Sequence, residues 1–337
     1  MNNQNDKIGP SFCKNRVILG ERLPLDTPFS VNISISERCN FKCNYCFRST
    51  EPSELWAYTR SGHIMSIDTF ELVAKQLAEF PSQIKRIALS GHGEPLCNPL
   101  LPLMVKRLKE LGLTATIDIH TNVSLLTPEL SRALSESRID RIIVSLQGLN
   151  AQAYKKICGA TIDFDKFYKN LKILYEQKTE KTTVHIKIVD TALSSAGEEY
   201  EFYKLFSPVA DHVFVEKVVP LWKALKFEQT DNNNKYGLSF GYINYCPLVF
   251  YTLMITPGGG IYPCLELPPP FSLGNVNETT LLEAWRSPAR VLFLKQQLQN
   301  RRREHPVCGE CFIPQNTIMA REDIIDPYRD VILERMK

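Results

Sequence analysis

The sequence predicts an α/β fold: strand–helix units around a parallel sheet, followed by a smaller cysteine-bearing module. Three observations predict it. Apolar, β-branched runs alternate with helix-period stretches as far as Val219; the pattern then turns polar and irregular; and the cysteines fall largely into two groups. Repeated strand–helix alternation implies crossover connections and parallel pairing. Six such units suit an open doubly wound sheet or an incomplete barrel, and periodicity does not choose between them.

The strands are expected at Val31–Ile35, Ile84–Leu89, Thr114–Ile119, Arg141–Leu146, Thr183–Val189 and His212–Glu216. Helices are expected at Ser66–Phe80, Leu100–Leu111, Pro128–Ser135, Phe164–Gln177 and Glu198–Phe206, with Asp68 and Thr127 near starts and Gly112 after an end. Pro220 to Tyr245 reads as a linker containing the Asp231–Asn234 loop. A hairpin-like pair follows, Val249–Thr256 and Gly260–Pro263, turning at Gly258-Gly259-Gly260. Thr279–Leu298 reads as a helix that Pro288 breaks or kinks, and a last helix is expected near Ile324–Arg335.

The chain has 337 residues, 44% hydrophobic and 23% charged. That is enough for a core without disulfides. Forty basic against 37 acidic side chains give a net charge of +3, which offers no argument for nucleic acid. The run Arg301-Arg302-Arg303 reads as a solvated helix end. No secretory signal and no bilayer-length apolar stretch is present, so the expectation is a cytoplasmic protein with no membrane partner. In that reducing compartment ten cysteines point to metal or catalysis rather than disulfides.

Cys39, Cys43 and Cys46 follow the first strand closely. Closely spaced thiolates on one loop can wrap a cuboidal iron–sulfur cluster, and three of them leave one iron open to a small chelating molecule. A zinc loop is the plainer alternative; it requires a fourth ligand, and His63 is the nearest histidine along the chain. The pattern C-x3-C-x2-C with Tyr45 before the last cysteine resembles the signature of the radical S-adenosylmethionine (SAM) superfamily. That resemblance implies a partial (β/α)6 TIM-like barrel, a [4Fe-4S] cluster whose open iron binds SAM, and a 5′-deoxyadenosyl radical that abstracts hydrogen. The segment Ser90-Gly91-His92-Gly93-Glu94-Pro95 is similar to the family's GGEP stretch, with His92 in place of the commoner residue. By the same resemblance Tyr45, Gly91, Gly93, Glu94, Asn122, Ser145 and Gln147 are expected to bind SAM at the barrel mouth, with Thr121 beside them.

Cys246, Cys264, Cys308 and Cys311 form the second group, which completes either a zinc tetrahedron or a fully ligated cube. The spacing Cys246-x12-Gly259-x4-Cys264 resembles the opening of a SPASM domain, and the lack of cysteine after Cys311 resembles its shortened twitch form. The fold class expected is therefore that partial barrel with a small C-terminal iron–sulfur (SPASM/twitch-like) domain holding one auxiliary [4Fe-4S] cluster. The expected division is a tail (1–29), the barrel (30–219), a linker (220–245), the auxiliary domain (246–320) and a terminal helix (321–337).

The twitch likeness implies hydrogen abstraction from a sugar-, aminocyclitol- or nucleoside-like small molecule, ending in dehydrogenation or epimerisation within a biosynthetic pathway. A thiol hydrogen donor, Cys158 or Cys97, suits epimerisation, while Lys187 and His185, on one strand face, suit dehydrogenation or ligand binding. Asp190, Glu216 and Lys217 are weaker candidates, Trp222, Tyr242 and Tyr245 are available to stack on a ring, and Cys13 lies in the tail. A flavodoxin or ferredoxin is the expected reducing partner. The alternatives are a peptide-modifying SPASM maturase and, further off, a non-catalytic zinc-binding protein.

Overall fold

Residues along each central strand alternate between an apolar outer face and a polar inner one. In β3 (Thr116–Thr121), Ile117 and Ile119 are fully buried in the core, while Asp118 and His120 lie on the opposite face. The computed structural model describes residues 7–9, 16–49, 62–221 and 232–337. Trp222 and Cys13, singled out above, lie outside the described residues.

The parallel strands are β1 (Ser30–Ile33), β2 (Arg86–Ala88), β3, β4 (Arg141–Leu146), β5 (Thr183–Val189) and β6 (His212–Glu216). They lie side by side in sequence order and every neighbouring pair is parallel. A doubly wound sheet reverses its strand order at a switch point, whereas a barrel keeps it. From β1 to β6 the order never reverses, so this part of the fold is the incomplete barrel.

The crossover helices are α1 (Ile67–Leu77), α2 (Leu101–Glu110), α3 (Pro128–Glu136), α4 (Ala151–Cys158), α5 (Phe164–Gln177) and α6 (Ala196–Phe206). Ser66, Thr127, Asn150, Asp163 and Ser195 cap α1, α3, α4, α5 and α6 by accepting an amide hydrogen bond three residues on. Val73, Leu77, Met104, Leu108, Leu134 and Leu171 then pack on the outer sheet face.

The sheet does not stop at the expected start of the second module. β7 (Thr252–Ile255) pairs parallel with β1, and β8 (Gly260–Tyr262) and β9 (Gly274–Asn275) continue antiparallel from it. The apolar run expected to start this hairpin at Val249 instead opens with a turn of helix, Leu248–Tyr251. The guanidinium of Arg290 holds this turn by donating to the carbonyls of Val249 and Phe250 at 3.0 and 3.4 Å. The break expected at Pro288 is present: α7 (Leu281–Arg286) ends at Ser287, which caps α8 (Pro288–Leu298). The last helix, α9, covers Arg329–Arg335.

Candidate radical-initiation site and auxiliary cavity

The loop after β1 carries the first cysteine group and is anchored on several sides. The amides of Lys42 and Asn44 donate to the carbonyls of Cys158 and Ile157 at 3.1 and 2.8 Å. The loop thus uses carbonyls that the end of α4 leaves free. Gly159, at φ +69°, turns the chain away just beyond, as a left-handed residue after a helix end does. Cys46 closes a turn onto Cys43 at 2.9 Å. Burial pushes the Cys39 thiol up to about 11, and contact with Cys158 together with burial pushes Cys43 higher still. Thiols so placed become thiolates only beside a strong positive charge, as on iron. Among the described residues no three His, Cys, Asp or Glu side chains converge on a single metal ion. A cube asks for a looser set, one thiolate to each iron, and the three-thiol loop fits that requirement.

The glycine-rich loop after β2 lies directly against this one. A Cβ on Gly93 would meet the carbonyl oxygens of Ser36 and Arg38 at 2.4 and 2.6 Å, and one on Gly91 would meet Ser34 at 2.4 Å. Glycine is therefore needed for close approach. Glu94 donates its amide to Arg38 O at 2.7 Å. Its buried carboxylate accepts from the amides of Leu96 and Asn122 and from the Thr121 hydroxyl, tying β2 to the end of β3. Burial nevertheless raises that carboxyl to about 7. The Asn122 side chain donates to Asn40 in the cysteine loop at 3.0 Å. Tyr45 donates its hydroxyl to Gln147 just beyond β4, and Gln147 donates in turn to the carbonyl of Ser145 at 3.2 Å. Apart from Gly91 and Gly93, the residues expected at the mouth are thus joined in two short chains of hydrogen bonds.

The four candidate catalytic side chains occupy different places. Cys158 is 2% exposed, donates to Tyr154 O at 3.0 Å and touches Cys43 from behind. Cys97 ends the 3-10 turn Pro95–Cys97 and is half-buried. Lys187 pairs with Glu216 inside the barrel, and Lys235 reaches the other oxygen of Glu216 at 3.1 Å. Burial opposes ionisation of Glu216, yet the two ammonium groups hold its carboxyl at about 2. His185 lies against His212 with ring centroids 4.7 Å apart and the planes tilted by 57°, and burial presses it down to about 4.

Below them, Asp118 accepts both forks of Arg86 at 2.7 and 2.8 Å and also binds Arg141. These contacts outweigh burial and hold it at about 2. Arg86 also lies 3.3 Å from Nε2 of His120, which burial lowers to about 3. Sequence reasoning missed Asp118, His120 and Lys235. The polar residues alternating with isoleucine in β3 were a usable signal, whereas Lys235 sits in an irregular segment without one.

The second cysteine group shares one cavity. Cys246, Cys264, Cys308 and Cys311 line it together with Glu266 and Arg302. Cys246 takes amide hydrogen bonds from Leu248 and Val249, and Cys264 takes one from Glu266. Cys308 starts a 3-10 turn whose Gly309 passes so close to Arg303 O that a Cβ would lie at 2.6 Å. Burial pushes all four thiols up, Cys308 to about 12, and neighbouring thiols add to the rise in Cys264, Cys308 and Cys311. Four thiols lining one cavity, too spread to meet on a single ion, suit a polynuclear cationic centre. The sequence had no marker for Glu266, whose carboxylate accepts from the Cys311 thiol at 2.7 Å.

Residues 33–190 match the model of the radical SAM superfamily, and residues 246–312 match the SPASM iron–sulfur cluster-binding domain. The protein belongs to the radical SAM superfamily and carries a C-terminal SPASM domain. A SAM-binding [4Fe-4S] cluster, SAM and auxiliary iron–sulfur chemistry follow from those two domains, as does the need for an external reductant. Among solved structures this radical SAM chain resembles BtrN in complex with AdoMet and 2-DOIA, at 19% identity and TM-score 0.56, covering 88% of this chain and 97% of that one. It also resembles Streptococcus suis SuiB bound to precursor peptide SuiA, at 18% identity and TM-score 0.61, covering 82% of this chain and 69% of that one. These likenesses establish the fold alone.

Curated relatives include a probable GTP 3′,8-cyclase of Methanococcus maripaludis, 34% identical over 38% of this chain and 39% of that protein. Another is the GTP 3′,8-cyclase of Pelotomaculum thermopropionicum, 34% identical over 38% of this chain and 37% of that protein. The chain thus spans about two fifths of the length of these relatives. They correct one expectation. Dehydrogenation or epimerisation of a sugar-, aminocyclitol- or nucleoside-like substrate does not stand, since the named relatives are cyclases and neither dehydrogenases nor epimerases. The physical reason is that the cysteine layout specifies how a radical starts and leaves its fate open. No described helix is long and apolar enough to cross a membrane.

Proposed function

We propose that this radical SAM enzyme modifies a peptide. In this reading Cys39, Cys43 and Cys46 hold the SAM-binding cluster, and Cys246, Cys264, Cys308 and Cys311 hold an auxiliary one. When bound, the first cluster and SAM supply the 5′-deoxyadenosyl radical that abstracts hydrogen. Gly91 and Gly93 let the backbone approach SAM, and Tyr45, Asn122, Ser145 and Gln147 present polar groups to it. Lys187, Glu216 and Lys235 orient polar groups of the substrate within the lumen. A small acidic electron carrier of the flavodoxin or ferredoxin kind supplies the electron in the cytoplasm.

The observation that carries the peptide reading is the unclosed sheet. β6 and β9 stand at its two ends, which leaves one side of the barrel open to the entry of an extended chain. The likeness to SuiB, solved with its precursor peptide, supports the same reading.

The test is a label transfer. Reconstituted enzyme, SAM and dithionite are incubated with a pool of fully deuterated peptides, or with deuterated GTP, and the mass of 5′-deoxyadenosine is read. Deuterium gained from the peptide pool alone is the expected result. Deuterium gained from GTP alone overturns the proposal.

A further inference from the structure

The arginine run at 301–303 does not behave as one solvated patch. Arg301 and Arg303 are exposed, the first paired with Glu304 and the second lying over the ring of Tyr242 at 5.2 Å. Arg302, between them, turns inward and is 6% exposed. Its Nη2 donates to the carbonyl oxygen of Cys311 at 2.7 Å, and its guanidinium lines the cavity shared by Cys246, Cys264, Cys308 and Cys311. Among the described residues it forms no ion pair: Glu266, in the same cavity, accepts from the Cys311 thiol instead. The chain has therefore buried a cation beside four thiols, with the Glu266 carboxyl within electrostatic reach but not in contact, an arrangement that costs free energy unless more negative charge arrives there.

We infer that Arg302 sets the reduction potential of the auxiliary cluster, favouring its reduced state. The inference rests on the four cysteines being cluster ligands, as proposed above. Four thiolates on a cuboidal core leave a net negative charge that grows by one on reduction. A fixed positive charge nearby stabilises the more negative state, and burial strengthens that effect by excluding water. Arg302 is a positioning and tuning group here, not one that touches the substrate. Its planar fork is held by the Cys311 carbonyl, so the charge stays in place as the cluster changes state.

The experiment uses the full chain with Cys39, Cys43 and Cys46 replaced by alanine, reconstituted anaerobically so that only the auxiliary cluster remains. Its potential is measured by redox titration followed by electron paramagnetic resonance. Arg302→Gln is expected to weaken reduction at least tenfold, a negative shift of about 59 mV for one electron. Arg302→Lys, which keeps the charge, is expected to restore most of the shift, and Arg301→Gln to leave the potential unchanged. An unshifted potential in Arg302→Gln with full iron content overturns the inference. So does loss of iron from both Arg302 variants but not from Arg301→Gln, because Arg302 would then build the site rather than tune it. Absence of iron in the parent is a different failure, that of the ligand assignment itself.

Discussion

The Nε2 of His92, in the glycine-rich loop after β2, lies 2.9 Å from the carbonyl oxygen of Leu265, the residue after Cys264. A carbonyl only accepts, so this nitrogen carries the proton. The ring also meets Phe47, next to Cys46, edge-on at 5.9 Å, and Phe47 packs on Leu267. One side chain thus links the loops that carry the two cysteine groups. His92→Ala is expected to leave the partly buried Leu265 carbonyl without its partner and to destabilise the chain by about 1–3 kcal/mol. Denaturant unfolding checks this; an unchanged midpoint excludes the link.

The two cysteine groups are expected to load independently. Full reconstitution should give about eight irons per chain, about four for each cube. Replacing Cys39, Cys43 and Cys46 with alanine should halve the iron and abolish reductive SAM cleavage. Replacing Cys308 and Cys311 should halve the iron but leave SAM cleavage measurable. Iron assays and detection of 5′-deoxyadenosine decide between these patterns.

Gly93→Ala places a methyl group 2.4 Å from the Ser36 carbonyl oxygen, and backbone rather than a flexible side chain has to give way. The displaced segment is the one bearing Cys39. The variant should therefore lose iron from the first cluster alone, down to about half of the total. Gly112→Ala is the control: nothing lies within 4 Å of its Cβ, and its φ is +70°. That left-handed backbone costs the variant some stability. It should retain both clusters.

Glu216→Gln leaves Lys187 and Lys235 inside the barrel without their carboxylate. Breaking a buried pair on one side costs about 3–5 kcal/mol. The expected result is a lower unfolding midpoint together with loss of turnover. Full stability in the variant would mean that the lumen holds enough water to solvate both ammonium groups.

His92, His120 and His185 are pressed by burial to about 4, 3 and 4, below the ordinary value of 6.5. Between those values the unfolded chain binds protons that the native chain refuses, so these three residues make stability rise with pH across that window. Glu94 and Glu266, whose carboxyls burial raises to about 7, partly offset the rise. The histidine contribution is lost as pH falls from about 6.5 towards 4. Asp118 and Glu216, held near 2, add a further loss once the pH drops below about 4. The slope of unfolding free energy against pH measures this, and His185→Gln should flatten it.

The strand pattern was legible where β-branched residues run unbroken. β4, β5 and β6 have the bounds that the sequence predicts, because their outer faces consist almost wholly of isoleucine and valine. β1 and β2 are shorter than expected: Ile35 and Leu89 pass into the two site loops, and Ile84 and Lys85 precede the start of β2. Local pattern could not show that Arg290 would claim the carbonyls of Val249 and Phe250. Nor could it show that the middle arginine of a run of three would turn inward, which depends on a cavity built by residues up to 56 positions away (302 − 246). Spacing marked the cysteines as two groups. The fate of the radical was not legible, because it depends on lumen residues from several strands and on a substrate that leaves no mark in the chain.

The pairing of β7 with β1 also bears on how such a protein can be built from parts. A chain cut before Cys246 would leave the edge of Ser30–Ile33 bare, exposing unpaired backbone beside the fully buried Val31 and Ile33. Such an edge invites strand addition from other copies and hence aggregation. The C-terminal module is therefore no portable cassette. Its first strand covers the β1 edge of the open barrel, so shuffling, truncation or domain exchange has to carry β7 along with the strand that it protects.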